Sequence, residues 1–228
     1  ANRPAGKIKK VSGGVTPAEA IDAFAELWVS DEHWAAADRV MNRANINERR
    51  RVGAAFVPEA RLGQATLPQM PLSDNIVLSW HATEDLGGLF INRGKLVDVA
   101  KDIIQRFDVR VPSPDPLPAQ LSGGNLQKYI VGREVLRKPK LIVIDQPSWG
   151  VDARAATHIR QTLIDLAAAG AAVLVITQDL DEAMSLADHI VVMCEGALSS
   201  PQRVQDVTRD QIGLLMTHRS PAATEGAH

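Results

Sequence analysis

The chain has 228 residues, of which 45% are hydrophobic and 4% aromatic, so it can bury a large core that is mostly aliphatic. Its 25 lysines and arginines nearly balance its 27 aspartates and glutamates, and the net charge of -2 argues against a nucleic-acid partner. The single cysteine, Cys194, excludes an internal disulfide and a cysteine-rich zinc site. No apolar run approaches the roughly 20 residues of a membrane span, and no signal peptide is visible. A soluble cytoplasmic protein is expected.

The N-terminal quarter of the chain carries few clear signals. Residues 1–10 are basic and poorly patterned, and we expect them to form a solvated end. A capping box and apolar residues at helical spacing predict a helix over residues 16–28. Residues 53–57 read as a short buried strand, and residues 59–71 have the composition of a loop. Ser73 is a candidate N-cap for the next helix.

Strands and helices alternate in the second half of the chain, which predicts an α/β fold with a parallel sheet flanked by helices. The helix-rich middle of the chain reads as an inserted subdomain, and the small polar tail is expected to be disordered. The predicted helices cover residues 95–107, 121–136, 154–169 and 181–187, and the predicted aliphatic strands cover residues 141–144, 172–176 and 189–193. The predicted boundaries are an α/β core over 1–64 and 138–216, a helical subdomain over 65–137 and a tail over 217–228.

Two adjacent stretches have residue types that bind phosphate and metal. Ser122, Gly123 and Gly124 precede a helix, where backbone N–H groups and the helix dipole favour an anion. Asp145 ends an aliphatic strand, at the edge where parallel sheets place their ligands, and an acid there commonly holds Mg²⁺. Each stretch alone could instead be an ordinary helix cap or turn. Their proximity in the chain favours a phosphate site.

Four segments together resemble the nucleotide-binding subunits of ABC transporters, in that family's order. FVPEARLG resembles the Q-loop, LSGGNLQK the signature motif, LIVIDQPSWGVD the Walker B strand with its D-loop, and VLVITQDLDEAMSLADHIVVMCEGAL the switch region. The wording is most similar to the second cassette of tandem importers for simple sugars and nucleosides. The resemblance implies a P-loop NTPase-like core with an inserted helical subdomain that carries the signature, and it implies ATP and Mg²⁺ as cofactors.

The resemblance also assigns roles to individual residues. It implies that Asp145 holds the metal ion and that Asp152 and Glu59 lie at the nucleotide, with Glu59 where the family usually has glutamine. Because ABC cassettes dimerise head to tail, it implies that the signature closes over the nucleotide of a partner cassette. The signature residues in question are Ser122, Gly123, Gly124 and Gln127.

The departures from the family pattern concern hydrolysis. Gln146 stands where the family has the catalytic glutamate, and Gln178 stands where it has the switch histidine. No G-x-x-x-x-G-K-[ST] loop occurs, and Val11-Ser12-Gly13-Gly14, where it is expected, offers no lysine. The Walker A region is therefore read as missing or degraded. The isolated chain is predicted to be inactive as an ATPase.

The leading hypothesis is a degenerate importer cassette that supplies the signature half of a composite ATP site. Its implied partners are a second cassette, possibly in the same polypeptide, and membrane permease subunits that hold it at the inner face of the membrane. One alternative is the C-terminal half of a non-transport ABC-type head of chromosome maintenance or repair. The other is a regulatory pseudo-ATPase that serves as an interaction module.

Overall fold

The computed structural model describes residues 8–12, 45–81 and 91–217, the first range through its backbone. The helix predicted over residues 16–28 lies outside these ranges, as do the tail after Thr217 and the glycines that follow Ser12. The predicted domain boundaries therefore stay predictions at both ends of the chain.

A mixed sheet with a parallel centre organises the described residues. Five parallel strands run in the order β2-β3-β4-β1-β5, and two short strands pair antiparallel with β5. The strands are β1 (Ile8–Ser12), β2 (Ala54–Val57), β3 (Leu141–Asp145), β4 (Ala172–Ile176), β5 (His189–Cys194), β6 (Ala197–Leu198) and β7 (Gln202–Arg203). The predicted α/β class and its three aliphatic strands are confirmed.

The expectation of a solvated N-terminal end is wrong for residues 8–10. They belong to β1, which pairs with β4 on one side and with β5 on the other. Two consecutive lysines, Lys9 and Lys10, hid this strand, because a central parallel strand usually reads as a continuous aliphatic run. The strand exists because neighbours at distant positions in sequence supply hydrogen bonds along both of its edges.

Eight α-helices are described, and none is long and apolar enough to cross a membrane. The four helices predicted from residue 95 onward each begin within two residues of the predicted position. Ser73 is an exception: the helix there starts at Leu72, and Ser73 instead donates from its hydroxyl to Asp115 at 2.6 Å. The helices are α1 (Ile46–Arg51), α2 (Leu72–Asn75), α3 (Val77–Trp80), α4 (Arg93–Arg106), α5 (Gly123–Val135), α6 (Ala153–Ala168), α7 (Leu180–Leu186) and α8 (Arg209–Thr217).

A single aliphatic core joins the sheet to the helix-rich middle of the chain. Ile142 and Val173 in the sheet belong to the same buried cluster as Ile103 of α4 and Tyr129 of α5. A second, smaller cluster on the opposite face contains Leu174 of β4. The strands β3 and β4 are thus covered on both faces, which explains their unbroken aliphatic sequences.

A buried ion network fastens the end of α5 to the loops around it. Glu134 accepts from Arg133 at 2.9 Å and from Arg137 at 3.1 Å, and all three side chains are almost fully buried. Arg133 also donates to the carbonyls of Ala65 and Asn75, at 2.9 and 3.3 Å. Because a buried charge is costly unless it is paired, this network holds α5 in one position against the segment that follows β2.

Gly132 sets the distance between α4 and α5. A Cβ atom at this position would lie 2.7 Å from Phe107 and 2.8 Å from Ile103. We expect Gly132→Ala to lower the free energy of unfolding by about 1–3 kcal/mol, because the added methyl group overpacks the contact. Urea denaturation measures the change.

Gly213 in α8 provides the matched control, since among the described residues no atom outside its own stretch of helix lies within 4 Å of its hypothetical Cβ. There Gly→Ala should be neutral, or stabilising by up to about 1 kcal/mol through helix propensity. Equal effects at the two glycines would contradict close packing at Gly132.

Candidate functional site

Two carboxylates lie at the carboxyl ends of β2 and β3. The pairing of Val57 with Ile144 brings Glu59, two residues beyond β2, to the level of Asp145 at the end of β3. Burial of Asp145, with the negative charge of Glu59 as a second cause, raises the pKa of that carboxyl from 3.8 to about 6. Glu59 itself is exposed. The pair therefore places concentrated negative charge at the sheet edge, where a cation would relieve the repulsion.

The residue after Asp145 has an unusual backbone conformation. Gln146 has a φ of 49°, a left-handed conformation that non-glycine residues seldom adopt. Its N–H donates to the carbonyl of Ile176 at 2.8 Å, and its buried amide oxygen lies 3.5 Å from the hydroxyl of Thr177. These contacts tie the end of β3 to the end of β4. An uncommon conformation held by several contacts is typical of a functional position.

Gln178 follows the buried Thr177 in the loop after β4, and its side chain is exposed. The loop is fixed from beneath, because the hydroxyl of Thr177 accepts from the N–H of Asp179 at 3.0 Å. Asp179 in turn caps α7 by accepting from two N–H groups. The structure thus brings Gln178 to the same edge of the sheet as Asp145 and Gln146.

The SGG stretch forms the exposed start of α5. Ser122 is the N-cap, and its hydroxyl oxygen accepts from the backbone N–H of Asn125 at 3.4 Å and from the Asn125 side chain at 2.9 Å. Ser122 and Gly123 are both exposed. The first N–H groups of a helix have no acceptor within the helix, so this end offers donors to an anion from outside.

The turn that connects β3 to α6 packs against this helix start, and we refer to residues 147–152 as the β3–α6 turn. A Cβ at Gly124 would lie 3.7 Å from Asp152, and a Cβ at Gly123 would lie 3.6 Å from the carbonyl of Gly150. Asp152 caps α6 by accepting from the N–H of Ala155 at 2.9 Å, a bond that keeps its pKa below the ordinary value. The start of α5 and the β3–α6 turn therefore form one continuous surface.

Two further contacts anchor the β3–α6 turn. The hydroxyl of Ser148 donates to the nearly buried carboxylate of Glu182 at 2.5 Å, which ties the turn to α7. Trp149, the next residue, is 66% exposed. A large aromatic side chain left open to solvent on a rigid turn is typical of a contact surface.

Gln127 was predicted to bind nucleotide, but both polar atoms of its side chain form hydrogen bonds to other residues of this protein. It is only 1% exposed, its Oε1 accepts from Arg61 at 2.8 Å, and its Nε2 donates to the carbonyl of Pro147 at 3.1 Å. Arg61 also donates to the carbonyl of Trp149. A direct role for Gln127 in nucleotide binding stays a prediction. What the structure shows is that Gln127 connects Arg61 to the β3–α6 turn.

Arg61 is the residue that the sequence reasoning missed. It lies in the loop after β2, two positions beyond Glu59, and contacts α5 and the β3–α6 turn. No short-range signal reveals these contacts, because Gln127 is 66 residues away in sequence and Trp149 is 88. Only the folded chain brings them together.

Several curated proteins are similar to this chain over most of its length, although no protein-family model matches it. The ribose import ATP-binding protein RbsA 1 of Rubrobacter xylanophilus is 31% identical over 185 residues, which cover 81% of this chain and 37% of that protein. The guanosine import ATP-binding protein NupO of Bacillus subtilis is 34% identical, covering 72% of this chain and 32% of that protein. The glucose import ATP-binding protein TsgD13 of Haloferax volcanii is 36% identical, covering 77% and 32%. The chain thus spans about a third of the length of these relatives.

Solved structures give the fold. The dimeric post-hydrolysis state of the ATP-binding cassette MJ0796, bound to ADP and Pi, matches with a TM-score of 0.62 and 18% identity, covering 90% of this chain and 88% of that one. The fold is that of an ATP-binding cassette. The ATP-binding subunit of an ABC transporter matches with a TM-score of 0.64 over 94% of this chain and 89% of the other, at 18% identity.

The described residues offer some of the groups that a nucleotide and Mg²⁺ would need. The exposed start of α5 offers a hydroxyl and backbone N–H groups to phosphate oxygens. The half-buried carboxylate of Asp145 is a suitable Mg²⁺ ligand. Within the described ranges no group of three or more His, Cys, Asp or Glu side chains could hold a metal ion by itself. A metal ion here would need phosphate oxygens to complete its coordination.

The raised pKa of Asp145 predicts a pH-dependent stability in the metal-free protein. A carboxyl whose folded pKa lies above its unfolded pKa lowers stability once it ionises, so the loss develops as the pH rises from about 4 to about 6. Asp145→Asn should therefore raise the free energy of unfolding at pH 7.5 by about 1 kcal/mol, a figure reduced for partial solvent exposure. Near pH 4 the gain should disappear.

Urea denaturation at the two pH values, with chelator present, measures this difference. The exposed Asp98 in α4 offers the control, since its replacement by asparagine should change stability little at either pH. If Asp145→Asn has a lower free energy of unfolding than the unchanged protein at pH 7.5, the charged carboxylate does not destabilise the fold.

Proposed function

We propose that this chain is an ATP-binding cassette of an importer for sugars or nucleosides, and that it supplies the signature half of a composite ATP site. Its own site is degenerate, so the nucleotide that it helps to hydrolyse is bound by a second cassette in a head-to-tail dimer. The observation that carries the proposal is the exposed start of α5 beside the β3–α6 turn. None of the described residues covers this surface, so a partner can reach it.

Similarity supports the importer assignment. The relatives are named for the import of ribose, guanosine and glucose, and each aligns with more than 70% of this chain. The identities of 31–36% extend over 165 residues or more, much further than the short motifs. This similarity favours a transport role over a chromosome-associated ATPase head.

The signature surface has the chemistry for binding a partner's terminal phosphate. Ser122 presents a hydroxyl, and the first N–H groups of α5 point out of the helix along its dipole. The side chain of Asn125 fixes the Ser122 hydroxyl, so little reordering is needed on binding. ATP with Mg²⁺ would supply the reactive phosphoanhydride, and these groups would orient it and screen its charge.

Two features support a degenerate site in this chain. The buried Gln146 has a neutral amide where hydrolysis needs a group to accept a proton, and loss of a general base typically costs about 10²–10⁴ in rate. The phosphate loop would follow β1, which ends at Ser12 beside the ends of β4 and β5. No lysine occurs between Lys10 and Lys95 to neutralise phosphates there.

The partners and location follow from the same proposal. A second cassette, in the same polypeptide or in another, provides the intact phosphate loop. Membrane permease subunits bind the dimer at the cytoplasmic face of the membrane. The loop after β2 exposes Leu62 and Leu67, apolar side chains of the kind that a protein partner would cover.

The isolated chain should show negligible ATP hydrolysis, whereas a mixture with a cassette that has an intact phosphate loop and a disabled signature should hydrolyse ATP. In that mixture Ser122→Phe should reduce kcat at least about 100-fold, because the bulky side chain displaces the phosphate from the start of α5. Phosphate release measures both rates.

The exposed Ser200, after β6, offers the matched control: Ser200→Phe should leave the rate of the mixture unchanged. Robust hydrolysis by the isolated chain would contradict the proposal. If the mixture is inactive and this chain itself binds ATP, the chain is a regulatory pseudo-ATPase. If this chain binds no nucleotide even with the partner present, it is an interaction module.

Gln146→Glu tests where the defect lies. A restored carboxylate should not create activity in the isolated chain, because the lysine of the phosphate loop is still absent. The same variant should leave the rate of the mixture within about twofold, since Gln146 belongs to the site that does not turn over. A gain of 10²–10⁴ in the isolated chain would show that the missing base was the only defect.

A further inference from the structure

The side chain of Arg61 joins its own loop to two segments that lie far away in the sequence. Arg61 extends from the loop after β2, and its Nε donates to Gln127 of α5 at 2.8 Å. Its Nη2 donates to the carbonyl of Trp149 in the β3–α6 turn. Its Nη1 would lie 2.9 Å from a Cβ at Gly123, so the glycine leaves the space that the guanidinium fills. The three segments meet at this side chain.

Gln127 closes these contacts into a ring. Its Oε1 accepts from Arg61, while its Nε2 donates to the carbonyl of Pro147, two residues before Trp149. The buried amide therefore holds the β3–α6 turn at its first residue, and Arg61 holds it at its third. Displacement of the turn relative to α5 would cost the side-chain amide of Gln127 its bonds, and at 1% exposure that amide has little access to water to replace them.

The planar fork of arginine suits this position in a way that lysine does not. Arginine places several N–H donors at fixed angles, so one side chain bonds two acceptors that approach from different directions. An ammonium group on a flexible stem would reach either Gln127 or Trp149 with one well-oriented bond. The two bonds of Arg61 therefore fix both the distance and the angle between α5 and the β3–α6 turn.

We propose that Arg61 is a positioning residue that holds the start of α5 and the β3–α6 turn as one rigid surface, so that Ser122 meets a partner's nucleotide while Trp149 meets the partner itself. This inference rests on the proposed function for its partner, but the internal coupling can be tested without one. Arg61 does not contact the nucleotide in this scheme. It acts through Gln127 and the carbonyl of Trp149.

The first test follows amide hydrogen exchange in the isolated full chain. In Arg61→Met the amides of Leu126 and Trp149 should exchange roughly tenfold faster or more, since both segments lose their common bond. The amide of Val175 in β4 should not change, because it lies in the sheet. Arg61→Lys should give an intermediate increase at Leu126 and Trp149.

The second test measures ATP hydrolysis in the mixture with a cassette that has an intact phosphate loop and a disabled signature. Arg61→Met should lower kcat about 10–100-fold and change the KM for ATP less than about twofold, because a misplaced signature affects the transition state more than ground-state binding. Arg93→Met, which removes an exposed arginine at the start of α4, should leave both constants unchanged. The double variant of Arg61 and Gln127 to methionine should lose no more rate than the more damaging single variant.

Each result decides the inference. The inference is overturned if Arg61→Met speeds amide exchange at Trp149 but not at Leu126, because the turn and α5 are then not coupled. It is also overturned if Val175 exchange rises equally, since Arg61 would then serve only global stability. A wild-type mixture without hydrolysis would refute the proposed function, and the exchange data would still decide the role of Arg61.

Discussion

The parallel pairing of β3 with β2 and β4 is the constraint on which the candidate site depends. Backbone hydrogen bonds fix the register Val57–Ile144 on one side and Asp145–Ile176 on the other. That register brings Glu59, Asp145 and Thr177 to one edge although they come from three separate parts of the chain. A shift by one residue would turn every side chain of β3 to the opposite face, where each would have to pack against different neighbours.

The candidate site is divided between two surfaces with different chemistry. The sheet edge carries Asp145, whose carboxylate could bind a metal ion, and Gln146, whose amide cannot accept a proton. The start of α5 and the β3–α6 turn carry exposed donors and an exposed indole. The chain connects these surfaces directly, because the residue after Asp145 begins the turn. The left-handed conformation of Gln146 makes this abrupt change of direction possible and is held by its bond to Ile176.

Polar contacts act together with the aliphatic core to fix the position of α5. The core fixes α5 against α4 through Gly132 and the phenyl ring of Phe107. At the exposed end of α5 the core includes Leu126, while Gly123 and Gly124 add no side chain to it. Arg61 and Gln127 supply directional bonds there, and the Arg133–Glu134–Arg137 network supplies them at the other end of the helix. Directional bonds specify an angle, whereas apolar packing mainly specifies a distance.

The sequence alone determined the α/β class, the aliphatic strands β3, β4 and β5, the helices α4, α5 and α6, and the likeness to ATP-binding cassettes. These features depend on local periodicity, on caps and on short motifs, which can be read without knowledge of distant neighbours. The tertiary structure decided that residues 8–12 form a central strand, since their pairing partners lie beyond residue 170. It also decided the internal bonds of Gln127 and the place of Arg61, because hydrogen bonds across 66 and 88 residues leave no periodic trace in the sequence.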